Sequence, residues 1–199
     1  MKLFSCIFIA AIASSSFISA QPAQKAKDYL RVPGPIAFNK FTYNLSWSSH
    51  PSANYYKQEY IPAGENPDKY SRMIMIEAVT GSYLLKDLVK SKTGELDSRK
   101  KTDAVTNYSV IENKATGEYL LDFTLSAPGA NNETIVEWNA YRYRKTKDKS
   151  GKDVVVLFAY SRRAYGSAAT GFLTSLKKDR PADIQALAVY QIPVVSLGN

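Results

Sequence analysis

The chain has 199 residues, 45% of them hydrophobic and 12% aromatic, and its 26 Lys and Arg against 18 Asp and Glu give a formal net charge of +8. At this length one hydrophobic core suffices to stabilise a domain. A single cysteine and a single histidine exclude a disulfide framework and a zinc site of the common Cys/His type.

Residues 1–20 read MKLFSCIFIAAIASSSFISA. Lys2 is followed by an apolar stretch from Leu3 to Ile12 and then by small residues, the three parts of a secretory signal. Cleavage is expected after Ala20. A membrane anchor would need about 20 predominantly apolar residues, and Ser14, Ser15, Ser16 and Ser19 dilute this run. Cys6 lies too near the start to follow a full apolar core, which argues against a lipoprotein signal. The expectation is an exported protein, periplasmic or extracellular, with no transmembrane anchor after cleavage. Loss of residues 1–20 would remove the only cysteine and lower the net charge to +7.

Residues 21–37 mix charge, Pro and Gly and read as an N-terminal lead-in expected to dock in part on the domain, because Pro33, Gly34 and Pro35 fix turns. Residues 38–199 read as one domain. Phe41, Tyr43, Leu45 and Trp47 alternate with polar residues, the period of a half-buried strand. A turn at His50–Ala53 and a return strand over 54–61 complete an N-terminal hairpin. In 72–79 the run Met73–Ile76 is continuously apolar, which predicts a strand covered on both faces. Ser82 is placed to cap a helix near 83–92 with Leu84, Leu85, Leu88 and Val89 on one face. The segment TGELDSRKKTD that follows is too charged to be core.

Four strand candidates come next, over 104–112, 117–126, 133–145 and 152–163, punctuated by Gly117, Pro128-Gly129 and Ser150-Gly151. Phe172, Leu173 and Leu176 share a helical face, and Pro181 opens a further helical segment with Ile184, Leu187 and Ala188 inward. The predicted fold class is α+β: a largely antiparallel sheet of about six to seven strands, flanked by helices.

Catalytic signatures are sparse. His50 lies in a Ser-Ser-His-Pro turn with no nucleophile–acid constellation around it. No calcium loop or P-loop motif is present, and Gly166–Gly171 reads as a strand-to-helix connection. No metal or cofactor is expected, and an enzyme is less expected than a binding protein.

The late strands carry the most informative chemistry. In Glu133–Lys145 one face holds Val136, Trp138, Ala140, Arg142 and Arg144, and the other Ile135, Glu137, Asn139, Tyr141 and Tyr143. The next strand puts Phe158, Tyr160 and Arg162 on one face, and Asp122 interrupts an apolar run in between. One reading assembles Asp122, Glu137, Trp138, Tyr141, Arg142, Tyr143, Tyr160 and Arg162 into a ligand-binding pocket for a small anionic or sugar-like molecule. The other makes them a solvated face, with arginine stems lying over apolar neighbours. Asp122 and Glu137 also form the one carboxylate pair that could divide acid and base roles.

Basic residues cluster over Lys86–Lys101 and Arg142–Lys152. In an exported protein such a basic surface points to an anionic envelope component or another protein rather than to nucleic acid.

The segment Gln58-Glu59-Tyr60-Ile61-Pro62-Ala63-Gly64-Glu65-Asn66, followed by Tyr70-Ser71-Arg72-Met73-Ile74, resembles small exported bacterial proteins of uncharacterised function. The wider layout is similar to the PsbP-like fold of photosystem accessory proteins, an antiparallel sheet packed between helices. That resemblance implies binding or assembly and carries over no functional residue. The leading expectation is an exported, non-enzymatic binding or accessory protein of the cell envelope. The alternatives are a hydrolase or lyase of envelope or glycan substrates, and a secreted effector that binds a host partner through its basic surface.

Overall fold

A computed structural model describes residues 26–129 and 132–197, so the expected export signal lies outside the described residues. In chain order the elements are β1 (Ile36–Phe38), β2 (Phe41–Ser52), β3 (Tyr55–Pro62), β4 (Arg72–Thr80), α1 (Leu85–Arg99), β5 (Asn107–Asn113), β6 (Glu118–Pro128), β7 (Thr134–Lys147), β8 (Asp153–Tyr165) and α2 (Ala168–Val189). The strands form one antiparallel sheet in the order β1-β2-β3-β4-β8-β7-β6-β5, curled into a half-barrel.

The fold class is α+β as expected, but the sheet has eight strands rather than six to seven. The additional strand is β1, three residues directly after Pro33-Gly34-Pro35, where turn chemistry conceals it. It returns into β2 through Asn39 and Lys40, both in the left-handed region with φ of 47° and 70°. Positive φ at both central residues is the signature of a type I′ hairpin turn. The chain crosses over once. β4 pairs directly with β8, and β5, β6 and β7 lie beyond β8 toward the other edge.

Each face of the sheet has its own core. On one, Ile74, Ile76, Ala78, Trp138, Ala140, Val156, Phe158 and Tyr160 pack beneath Leu176 and Leu187 of α2. On the other, Met75, Leu121, Phe123, Tyr143, Val155, Leu157 and Ala159 pack beneath Leu85, Val89 and Leu96 of α1. All four residues of the continuous run Met73–Ile76 are buried, as expected for a strand covered on both faces.

Both helices differ from expectation. The helix near 83–92 runs instead from Leu85 to Arg99, its N-cap is Leu84, and Ser82 makes no cap. The charged stretch after residue 92 is the solvent side of an amphipathic helix, and Leu96 within it is 2% exposed. Phe172–Leu176 and the segment after Pro181 form one continuous helix with Pro181 inside it. A mid-helix proline removes the hydrogen bond to the carbonyl four residues back and crowds it. Tertiary contacts hold this helix together across the proline.

The packed body begins before residue 38. Leu30, Val32 and Ile36 from the expected lead-in are buried in the α2-side core. Gln58, fully buried in β3, accepts the Leu30 N–H through Oε1 at 2.8 Å, and Tyr60 OH donates to the Val32 carbonyl at 2.6 Å. After α2 the chain returns, and the Ser196 N–H donates to the Leu30 carbonyl at 2.9 Å. Among the described residues no helix is long and apolar enough to cross a membrane.

Candidate functional site

The pleat separates the eight residues singled out in the sequence. Asp122 opposes Ala140, and Trp138 opposes Arg162, so Asp122, Trp138, Arg142, Tyr160 and Arg162 share the α2 face. Glu137, Tyr141 and Tyr143 are on the opposite face, because successive strand residues alternate. Asp122 and Glu137 therefore do not meet, and no acid–base pair forms between them. Tyr143 is in the α1-side core and Tyr141 packs edge-on against Phe123 at 4.9 Å. Burial pushes both phenols above the ordinary tyrosine range.

On the α2 face the charged residues bind the helix to the sheet. Arg180 of α2 grips Asp122 with Nε at 2.5 Å and Nη2 at 2.9 Å, and Trp138 Nε1 donates to the same carboxylate at 3.2 Å. Arg162 of β8 bridges Asp179 at 3.1 Å and Asp183 at 2.9 Å, one on each side of Pro181. Arg142 of β7 pairs with Glu118 at 2.7 Å and donates to the Leu187 and Tyr190 carbonyls at 3.1 and 2.8 Å. These acceptors lie at the C-terminal end of α2, where a cation also complements the helix dipole. Tyr160, 1% exposed, packs against Phe38 and Trp138. The mid-strand arginines and Asp122 are thus fasteners, which accounts for a helix that persists through proline.

α2 lies over β7 and β8 and leaves the edge of the sheet uncovered. Between the helix and strands β5 and β6 lie two cavities, together termed the groove. The first, of about 320 Å³, is lined by Asn107, Ser109, Asp122, Trp138, Leu176 and Arg180. The second, of about 300 Å³, is lined by Ile111, Leu120, Arg142, Ile184, Gln185 and Ala188. Leu176, Arg180, Ile184 and Ala188 are spaced by four along α2 and form one wall, while alternate residues of β5 form the other. Polar groups dominate the first cavity, whereas Ile111, Leu120, Ile184 and Ala188 make the second more apolar, and apolar contact area with a few fixed polar groups is the usual makeup of a ligand cleft.

Three of the eight expected residues, Asp122, Trp138 and Arg142, line this groove. Sequence reasoning missed the helix wall and Ser109 and Ile111. Its signal was the four-residue spacing from Leu176 to Ala188, which splitting the helix at Pro181 obscured.

The opposite face carries a second polar network. Glu137 Oε2 accepts from Tyr70 OH at 2.8 Å and from Arg163 Nε at 2.6 Å, and Oε1 accepts from Asn139 at 2.9 Å. The Arg163 guanidinium also stacks on the Tyr70 ring at 4.0 Å. Both Glu137 oxygens are engaged, so the residue locks the β3–β4 loop onto β7 and β8. Nearby on this face, burial raises the Glu77 carboxyl above its ordinary range, opposed by the charge of Lys57 and the hydroxyl of Tyr55.

No curated protein matches the chain. One protein-family model matches residues 30–192, from the first buried leucine to the buried Ile192 beyond α2. That match spans well over half of the chain, which therefore belongs to this uncharacterised family.

Proposed function

We propose that the protein is an exported, non-enzymatic binding or accessory module of the cell envelope, and that the α2–β5–β6 groove is where it binds. The observation that carries this reading is the pairing of charge along the groove. Both oxygens of Asp122 are held by Arg180 and Trp138, and Arg142 is held by Glu118 and the end of α2. Proton transfer by Asp122 would break the clamp that holds α2, so the polar groups orient a ligand and do not react with it. The apolar side chains of Leu176, Ile184 and Ala188 supply the contact area. Export rests on the basic, apolar, small-residue order of residues 1–20.

A fragment screen on the mature chain, residues 21–199, read by backbone amide shifts, tests the reading. Hits should concentrate on Ser109, Ile111, Leu120, Leu176 and Ile184. Saturable turnover of any envelope polymer or glycan by the pure protein would overturn it. The exported product should begin at Gln21 on N-terminal sequencing.

A further inference from the structure

We propose that a second pocket, at the opposite edge of the sheet from the groove, binds an oxyanion carried on a sugar-sized body. It is a cavity of about 460 Å³ lined by Lys27, Asp28, Tyr29, Arg31, His50 and Tyr56. Its parts come from the segment before β1, from β2 and from β3.

The cationic side is held rigidly. Leu30 and Val32, on either side of Arg31, are buried and fixed by hydrogen bonds to Gln58, Asp28, Tyr60 and Ser196. Arg31 is exposed between them with a φ of 57°, a left-handed conformation that costs a non-glycine residue energy. The buried anchors on both sides fix the direction in which the Arg31 side chain leaves the backbone. Lys27 lies over the Tyr29 ring at 4.7 Å. Among the described residues neither Lys27 nor Arg31 makes an ion pair, whereas Asp28 already accepts the Val32 N–H at 2.9 Å.

The other side is held as firmly. The His50 ring stacks on Tyr56 at 4.0 Å with 9° between planes. Its Nδ1–H donates to the Tyr55 carbonyl at 2.9 Å, since a carbonyl only accepts. In that tautomer Nε2 carries a lone pair and donates no hydrogen bond, so the ring serves as a flat wall and a reporter of the pocket rather than as an anion donor. Lys27 and Arg31 set two positive charges against the single carboxylate of Asp28, and with the flanking aromatic rings they suit a phosphate, sulfate or carboxylate group, with arginine able to bind it bidentately. The cavity exceeds the volume of a bare oxyanion and has room for an attached ring.

His50 is the only histidine, so the mature chain gives one imidazole signal in a proton–carbon spectrum. Inorganic phosphate and glucose 6-phosphate are titrated separately, each against sodium chloride at matched ionic strength. Both should shift the His50 signal saturably, and glucose 6-phosphate should bind more tightly. Arg31→Gly, which relieves the left-handed strain and preserves folding, should weaken both by roughly tenfold. The site is refuted if sodium chloride alone reproduces the shift, if no saturable shift occurs, or if Arg31→Gly binds as the parent does. Phosphate binding without a gain for glucose 6-phosphate refutes the sugar-sized ligand.

Discussion

Replacing Arg180 by Met isolates the clamp on which the groove depends. Asp122 is 3% exposed, and without Arg180 its carboxylate keeps only the Trp138 Nε1 donor at 3.2 Å. Leaving one member of a fully buried ion pair unpaired costs about 3–5 kcal/mol. The Arg180 side chain is 40% exposed, so water screens part of the pair. Discounted for that screening, the loss should be about 1–3 kcal/mol. The companion Asp122→Leu should also destabilise, because it strands the Trp138 N–H and the guanidinium. The double variant Asp122→Leu/Arg180→Met removes both charges and should be less damaging than the sum of the single changes. Urea unfolding followed by tryptophan fluorescence measures all three. A single-variant loss below about 0.5 kcal/mol, the range of ordinary surface substitutions, would refute the clamp. So would strict additivity of the two changes.

Four further outcomes follow from the same contacts. Asp103 ties the α1–β5 turn to β6. Burial alone would raise its carboxyl, but hydrogen bonds from the Ser126 N–H and hydroxyl, Thr106 and Arg99 outweigh that and hold it well below the ordinary range. Its contribution is therefore present above about pH 4 and lost as pH falls below that, and Asp103→Asn should flatten the acid limb of a stability–pH profile. Glu77 has the opposite sign: burial raises its folded pKa, so stability declines as pH rises through that value, and Glu77→Gln should gain stability at neutral pH. Arg142→Met should speed amide hydrogen exchange in the last turn of α2 by removing the donor to Leu187 and Tyr190. Pro181→Ala should restore a helical hydrogen bond and raise stability by about 1–2 kcal/mol in thermal unfolding.

The strand pattern was legible because the pleat imposes a period of two that does not depend on partners. The two faces read from Glu133–Lys145 are those the structure displays, with Trp138 and Arg142 toward α2 and Tyr141 and Tyr143 toward α1. β1 was not legible: three residues after Pro-Gly-Pro are too few for a period, and their pairing is fixed by a turn at Asn39-Lys40. The helix ends were misread for local reasons, since charge after residue 92 and Pro181 both argue against helix until packing overrides them. Of the eight residues singled out, only Asp122, Trp138 and Arg142 line the groove. Residue types at Asp122, Trp138 and Arg142 signalled a polar site, but strand order and the position of α2 decide whom each side chain meets. Arg180 could be paired with Asp122 only once the helix was laid across the sheet.

The groove reading is tested most directly by filling the groove. Ala188 lies on its apolar wall, is exposed and makes no clamp contact, so Ala188→Trp should leave folding intact and occupy the second cavity. The strongest fragment hit on residues 21–199 is titrated into the parent and into Ala188→Trp, with amide shifts as the readout. The account predicts a saturable response along β5, β6 and α2 in the parent and its loss in the variant. Equal binding by the folded variant, with shifts centred away from the groove, would contradict it.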